Sequence, residues 1–431
     1  MDAAALVPAA RPAADAAPVP AGPGGRVPAF RPQLPCADRL LPYLQRIDAA
    51  RIYSNRGPLV WELEIRLARA MGLPGHAVHA AASGMLALVL AILTHAGRGD
   101  PAGPRPLALV PGLTFVATAQ AAELCGYRPV FVDVDPARWT VDPSALRTHP
   151  ALARAGLVLA AAPYGVLPDM AGLERLQAAT GVPVVVDAAA GFEALCDAPG
   201  SASTTVPMVL SFHATKGFST GEGGAVIWDC EDARLRLIRT GNFGFLGTRE
   251  ARGPGLNAKM SEYHAAVGLA MLDDLGPRRQ AQARVAASYG QAAATAGLRG
   301  RLHLPPRISP AYALYEATDA AACDRAAAVL DAAFIDSRRW YGRGVDREPW
   351  YAPAQAAPGP FPDAPPDLSA DLSAAAPKAP LPAAHDLCDR LLGLPTAPDL
   401  DAAGIARIIA ALAAAEAGSD GGARAAPRPP A

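Results

Sequence analysis

Residues 209–229 read VLSFHATKGFSTGEGGAVIWD, two apolar runs with a lysine between them. The pattern predicts a strand that ends at Ser211–Phe212, followed by a loop that carries Lys216. A turn of small residues, 221–224, then leads into another apolar strand. A loop lysine at a strand end, beside Ser and Thr hydroxyls, suits an amine that forms a Schiff base with an aldehyde cofactor. A solvated loop lysine is the ordinary alternative.

Lysine is scarce in this chain. Its 431 residues include 39 basic ones, of which only Lys216, Lys259 and Lys378 are lysine. Arginine replaces lysine wherever only a positive charge is needed, but it stays protonated and forms no Schiff base. A lysine that persists is therefore a candidate for amine chemistry.

The composition excludes several classes of protein. Lys+Arg is 39 and Asp+Glu is 40, a net charge of −1 that predicts neither nucleic acid nor an anionic membrane as a partner. Six scattered cysteines without a CxxC pair are typical of a reduced, cytoplasmic protein. The most apolar run, 80–93, is too short to cross a bilayer. No His/Cys/Asp spacing predicts a metal site.

Short apolar runs alternate with helical stretches, which predicts an α/β fold with a mostly parallel sheet and helices on both faces. We expect strands at 107–110, 129–134, 157–161, 182–187 and 209–212, and helices at 84–96, 117–125 and 170–180. A large domain is expected at 35–275 and a smaller C-terminal α/β domain at 276–417. The Ala/Pro-rich N-terminus 1–34 and the tail 418–431 are expected to be disordered, and a Pro-rich insertion at 352–380 flexible.

Several stretches, in the order of one family, resemble the sugar aminotransferases of the DegT/DnrJ/EryC1/StrS family. They are SFHATK with EGGA (211–225), YSNRGPLVWELE (53–64), ASGMLAL (82–88), the block 110–143, PYGVLPDM (163–170), PVVVDAAAGFEAL (183–195), GLNAKMSEYHAAVGLAML (255–272), SRRWY (337–341) and 381–400. The resemblance implies a fold-type I enzyme that uses pyridoxal 5′-phosphate (PLP).

The resemblance also implies the catalytic residues. Lys216 would form the Schiff base with PLP and then move the α-proton of the substrate. Asp187 would pair with the pyridine nitrogen, where its negative charge keeps that nitrogen protonated. Phe115 would stack on the cofactor ring.

Further residues would bind phosphate or substrate by the same resemblance. Gly84 and the backbone N–H of Met85 would meet the cofactor phosphate at a helix start, and Ser211 would add its hydroxyl. Asn257 would reach the phosphate of a neighbouring subunit, so a homodimer with shared active sites is expected. His213, Arg338 and Trp340 are the candidate substrate neighbours.

Two positions depart from the family pattern. Ala190 stands where a Gln or His near the cofactor ring is usual, and Met85 stands where a threonine hydroxyl would bind phosphate. Each loss removes a hydrogen bond worth ~0.5–1.5 kcal/mol, or ~1.5–3 kcal/mol if charge-assisted. Asp133 and Asp135 resemble a paired-carboxylate site but are interpreted as strand-end and turn residues.

The favoured function is transfer of an amino group from glutamate to a keto group of a nucleotide-linked sugar, with a dTDP-4-keto-6-deoxyhexose as the candidate acceptor. Lys216 favours transamination, since related sugar dehydratases carry histidine there. A 3-keto sugar or keto-cyclitol aminotransferase is one alternative. A PLP-binding regulatory protein without turnover is the other, suggested by Ala190 and Met85.

Overall fold

The computed structural model describes residues 25–100, 102–352 and 379–418. Its strands are Val78–Ala81 (β1), Leu107–Pro111 (β2), Arg128–Val132 (β3), Ala155–Ala161 (β4), Val184–Asp187 (β5), Met208–Ser211 (β6), Gly224–Ile227 (β7), Arg301–His303 (β8), Ala313–Glu316 (β9) and Leu391–Leu394 (β10). The expectations for residues 1–24, for 353–378 with Lys378, and for 419–431 lie outside the described residues.

The α-helices lie between and around these strands. They are Ala37–Ala50 (α1), Pro58–Ala70 (α2), Gly84–His95 (α3), Val116–Leu124 (α4), Pro143–Thr148 (α5), Met170–Thr180 (α6), Phe192–Asp197 (α7), Glu231–Thr240 (α8), Glu262–Asp273 (α9), Leu275–Ala296 (α10), Ala320–Ala332 (α11), Pro382–Arg390 (α12) and Ala402–Ala417 (α13).

Strands β1 to β7 form one sheet in the order β1-β7-β6-β5-β4-β2-β3. β7 is antiparallel to both of its neighbours, and the pairs from β6 to β3 are parallel. Side chains alternate between the faces: Val184 and Val186 join one buried cluster and Val185 joins the other. Because helices cover both faces, the strands are apolar throughout. The predicted α/β architecture is confirmed.

The topology brings the carboxyl ends of β5 and β6 to one edge of this sheet. Ligands of open α/β sheets bind at this edge. β5 ends at Asp187 and β6 ends at Ser211. α3 begins at Gly84 directly after β1, and β1 pairs with β7. The edge therefore collects several of the residues singled out in the sequence.

A second, antiparallel sheet has the order β10-β9-β8. α10, α11 and α13 pack on it around a separate apolar cluster that includes Tyr289, Leu330 and Leu412. A further cluster joins the two sheets and contains Tyr164, Ala190, Tyr312 and Leu391. Side chains of the small sheet thus pack directly against the binding edge of the large one.

The expectation of disorder over residues 1–34 is wrong for residues 25–34. Val27 forms a backbone bridge with Ile335, and Arg26 pairs with Asp331 and Asp336 at 2.9 and 2.7 Å. The Phe30 ring lies 5.9 Å from that of Trp340. The local composition is Pro-rich, but the partners of these residues lie about 300 positions further along the chain.

Candidate active site

Lys216 lies in the loop between β6 and β7. A backbone bridge between His213 and Gly221 closes the loop, and the Lys216 N–H donates to the His213 carbonyl at 2.9 Å. The Lys216 amine donates to the Tyr312 hydroxyl at 3.2 Å, and its Nζ lies 6.0 Å from the centre of that ring. The half-buried amine is therefore held at the junction of the two sheets.

Asp187 is the last residue of β5. Its Oδ2 accepts from the Thr118 hydroxyl at 2.7 Å, and its Oδ1 accepts from the Ala189 N–H at 3.1 Å. Burial raises the pKa of the Asp187 carboxyl, while these two hydrogen bonds and the nearby Lys216 charge act in the opposite direction. The site therefore presents a desolvated carboxylate that a cationic partner would stabilise.

The start of α3 packs closely against the ends of β6 and β7. We call the site formed there by Gly84, Ser211 and Gly224 the cradle. A Cβ on Gly84 would lie 2.7 Å from the Ser211 Cβ, and one on Gly224 would lie 2.8 Å from the Gly84 Cα. The backbones meet so closely that only glycine fits. The Ser211 hydroxyl thus lies beside the first turn of α3, whose N–H groups and dipole favour an anion.

Phe115 and Met85 lie at the starts of two different helices. Phe115 is the N-terminal cap residue of α4, and its ring is 55% exposed. Met85 is the second residue of α3 and packs against the apolar cluster on that face of the sheet. Its thioether has no donor to offer an anion, so an anion at this turn would be held by backbone N–H groups and Ser211.

His213 lies at the rim of the loop that carries Lys216. Its Nδ1 lies 2.9 Å from the Thr215 hydroxyl, and its Nε2 lies 3.8 Å from the Glu222 carboxylate. Nearly half of its side chain is exposed. The ring is therefore accessible from solvent next to the lysine loop.

Arg338 and Trp340 belong to a stack of rings that leads toward Lys216. The Arg338 guanidinium lies 5.6 Å from the Phe30 ring centre and 5.1 Å from that of Trp340. Trp340 in turn meets the Tyr312 ring edge to face at 5.3 Å. Trp340 thus contacts Tyr312, which in turn contacts Lys216. Arg338 packs on Trp340.

Asn257 and Lys259 lie on a separate loop. Asn257 is exposed and pairs with Asn242 in an antiparallel bridge. The Lys259 Nζ lies 4.6 Å from the centre of the Phe243 ring, and burial lowers the pKa of this amine. Both residues thus contact the segment Asn242–Phe243 at the other end of their loop.

Asp133 and Asp135 behave as strand-end and turn residues. Asp133 accepts from the Ala383 and Ala384 N–H groups at 3.1 and 2.8 Å and so caps α12. Asp135 accepts from the Ala137 N–H at 2.8 Å. Among the described residues, no group of three or more His, Cys, Asp or Glu side chains is arranged to hold a metal ion.

Sequence reasoning missed three residues of the site: Thr118, Tyr312 and Glu193. Thr118 follows the cap residue Phe115 by three positions in the first turn of α4, and a hydroxyl in an apolar helix is the signal that could have found it. Tyr312 carried no local signal beyond an aromatic residue in a strand-like run. Glu193 is buried and accepts from the Ser309 hydroxyl at 3.0 Å. Its carboxylate lies so close to Gly217 that a Cβ on that glycine would clash with it.

The residues present fit PLP. The glycine cradle with the Ser211 hydroxyl suits a phosphate, Asp187 suits a protonated ring nitrogen, and the Lys216 amine suits an aldehyde. Ala190, where the family pattern has a polar side chain, is buried in the cluster with Tyr164 and Tyr312. The departure at this position leaves the lysine and the aspartate in place.

Comparisons with known proteins identify the family of the chain. A family model described as the DegT/DnrJ/EryC1/StrS aminotransferase family matches residues 37–413. The chain is 33% identical to protein Rv3402c of Mycobacterium tuberculosis over 413 residues, 91% of this chain and 92% of that one. It is 31% identical over 247 residues to a dTDP-4-amino-4,6-dideoxy-D-glucose transaminase of Shigella dysenteriae, covering 57% of this chain and 64% of that one.

Solved structures give the same result. The structure of DesI in the presence of its TDP-sugar product matches with a TM-score of 0.75 and 29% identity, over 93% of this chain and 95% of that one. Fold, site and matches together define a PLP-dependent aminotransferase. The chain belongs to the DegT/DnrJ/EryC1/StrS aminotransferase family.

Among the described residues, no helix is both long and apolar enough to cross a membrane.

Proposed function

We propose that the protein transfers an amino group from glutamate to the keto carbon of a nucleotide-linked sugar, with a dTDP-4-keto-6-deoxyhexose as the favoured acceptor. The observation that carries this proposal is the position of Lys216 and Asp187 beside the cradle of Gly84 and Ser211. The named transaminase relative and the TDP-sugar complex of a related structure support a nucleotide-linked sugar as acceptor.

PLP, when bound, supplies the aldehyde that takes up amines and a ring that accepts electrons. Lys216 Nζ would take the proton from the carbon that bears the amine and deliver it to the carbon on the other side of that nitrogen. Asp187 would hold a negative charge against the ring nitrogen, because Thr118 and Ala189 donate to its charged form. Ser211 and the first turn of α3 would bind the phosphate.

The protein would act as a homodimer in the cytoplasm. Exposed large apolar side chains support a subunit contact; they include Ile52, Tyr53, Trp61, Ile65, Phe243 and Tyr263. The rings of Tyr53 and Tyr263 stack at 6.3 Å. Asn257 would complete the phosphate site of the second subunit. The six unpaired cysteines support a reducing compartment.

Light scattering and a mixing experiment test the shared site. Separately inactive Lys216→Ala and Asn257→Ala subunits, unfolded together and refolded, should regain roughly a quarter of wild-type activity, because half of the dimers then hold one intact site. A monomer in solution, or a mixture without activity, would contradict the shared site.

The acceptor is tested with 15N-labelled glutamate and a panel of nucleotide-linked 4-keto and 3-keto sugars. Mass spectrometry should find the label in an amino sugar, with dTDP-4-keto-6-deoxyglucose the best acceptor. Lys216→Ala should abolish the transfer, whereas Lys378→Ala serves as the matched lysine control and should retain it. Binding of PLP without transfer to any sugar would overturn the proposal in favour of a protein that binds the cofactor without turnover.

A further inference from the structure

Tyr312 connects the small sheet to the lysine of the candidate active site. It immediately precedes β9, and its hydroxyl lies 3.2 Å from Lys216 Nζ. Its side chain is buried, at 5% exposure. The Lys216 amine donates this hydrogen bond to a side chain next to β9. A residue of the small sheet region thus supplies the polar contact that holds the amine in place.

Other rings hold the Tyr312 ring in place. Tyr164 meets it edge to face at 5.4 Å and 81°, and Trp340 meets it at 5.3 Å and 90°. The Tyr312 N–H donates to the Ser309 carbonyl at 2.9 Å, and the Ser309 N–H donates to the Tyr164 carbonyl at 2.8 Å. Edge-to-face pairs of this kind restrict ring rotation, so the hydroxyl has a defined position.

The small side chain of Ala190 belongs to the same cluster. Ala190, Tyr164 and Tyr312 are all buried there. The family pattern places a Gln or His at this position near the cofactor ring, and alanine offers no hydrogen bond. Alanine thus leaves the cluster apolar at this position, while the Tyr312 hydroxyl in the same cluster contacts the Lys216 amine.

We propose that Tyr312 is a positioning residue for Lys216, and that its hydroxyl holds the amine at the junction of the two sheets. This inference rests on the proposed function. The hydroxyl oxygen accepts from Nζ when the amine is charged, and by rotating its proton it donates to Nζ when the nitrogen is neutral. It thus keeps the nitrogen on one side of the site in both states.

Among the described residues, Lys216 is the charged group in contact with this hydroxyl. Asp187 acts electrostatically on Lys216 and on Tyr341, Arg31 and Arg278 line the same pocket as Lys216, and Glu193 lies against Gly217 of the lysine loop. Burial raises the pKa of Tyr164 and of Tyr341 well above the usual range for tyrosine, and it raises that of Cys388, on α12, to about 12. These three stay neutral near pH 7, so removal of the hydroxyl acts on Lys216 directly.

The test is a pH titration of the visible absorbance of the PLP-loaded protein. Tyr312→Phe removes one oxygen and keeps the ring. The charged nitrogen then loses more than the neutral one, because a charge-assisted hydrogen bond is roughly twice as strong as a neutral one, so the midpoint of the titration should fall by about one pH unit. The rate of the reaction with glutamate should fall roughly tenfold to a hundredfold, with little change in the KM for glutamate.

Tyr315→Phe is the matched control. Tyr315 lies three positions away in β9 and donates to Glu416 at 2.7 Å, so the variant loses a comparable hydrogen bond without touching Lys216. It should keep the wild-type midpoint. Trp340→Leu keeps the Tyr312 hydroxyl but removes a ring that orients it, and should lower the midpoint by less than Tyr312→Phe does.

The possible results distinguish failure of the proposed function from failure of the proposed role of Tyr312. A wild-type protein without a Lys216-dependent visible band would overturn the proposed function itself. A normal band whose midpoint is the same in wild type and in folded Tyr312→Phe would overturn only the role of Tyr312. If Tyr312→Phe does not fold, an unchanged midpoint in Trp340→Leu would overturn that role.

Discussion

The Thr118 hydroxyl donates to Asp187 Oδ2 at 2.7 Å, and the Thr114 hydroxyl lies 2.7 Å from that of Thr118. This contact joins the start of α4 to the end of β5. Since burial raises the pKa of Asp187, a donor aimed at one of its oxygens favours the charged form. Thr118 therefore helps to keep Asp187 ionised, as pairing with a pyridine nitrogen requires.

Thr118→Val should weaken PLP binding. The change keeps the branched shape and removes a charge-assisted hydrogen bond worth ~1.5–3 kcal/mol, so the Kd for PLP should rise roughly tenfold to a hundredfold. A fluorescence titration with PLP measures this. Thr295→Val, whose hydroxyl bonds to a backbone carbonyl in α10, is the matched control and should bind normally. Equal affinity in Thr118→Val and wild type would show that this contact does not support the cofactor.

The cradle makes a prediction about stability. Gly84→Ala places a Cβ 2.7 Å from the Ser211 Cβ, and such overpacking should destabilise the protein by ~1–3 kcal/mol. Ser211→Gly in the same chain removes the opposing atom, so the double variant should recover part of the loss. Denaturant unfolding of the two single variants and the double variant measures the coupling. Strictly additive effects would mean that the two residues do not oppose each other.

Glu193 predicts a dependence of stability on pH. Burial raises the pKa of its carboxyl from the ordinary value of about 4.5, so the folded protein binds this proton more tightly than the unfolded chain. The contribution of Glu193 to stability therefore falls as the pH rises above about 4.5, until the group has ionised in the folded state.

Glu193→Gln removes this titration and keeps the shape of the side chain. The free energy of unfolding of the variant should rise relative to wild type between pH 5 and pH 8. Glu250→Gln, at an exposed position, should show no such trend. A constant difference between Glu193→Gln and wild type across this range would mean that Glu193 titrates as it does in water.

Asp133→Ala should affect stability and not catalysis. The change removes the acceptor for two N–H groups at the start of α12, a loss of ~1–2 kcal/mol. Asp133→Asn keeps an acceptor and should lose less. Unfolding and aminotransferase assays on the same preparations measure both properties. A folded Asp133→Ala protein without activity would contradict the structural role and revive a paired-carboxylate site.

The sequence predicts what local pattern determines. Apolar strands followed by polar residues located Asp187 and Ser211 at the sheet edge, and the scarcity of lysine singled out Lys216. Local pattern does not predict contacts between segments that are distant in the sequence. Tyr312 stands 96 positions after Lys216, and Arg26 stands 305 positions before Asp331. No local periodicity encodes such pairs, so the contact of Tyr312 with Lys216 and the contacts of residues 25–34 emerged only from the tertiary packing.

The most direct test of the central claim is borohydride reduction of the PLP-loaded protein, followed by peptide mass spectrometry. Borohydride fixes a Schiff base onto the lysine that carries it. The account predicts a visible band that glutamate bleaches, PLP mass on the peptide with Lys216, and loss of the band in Lys216→Ala. PLP fixed instead on Lys259 or Lys378, or a band unchanged in Lys216→Ala, would contradict the account.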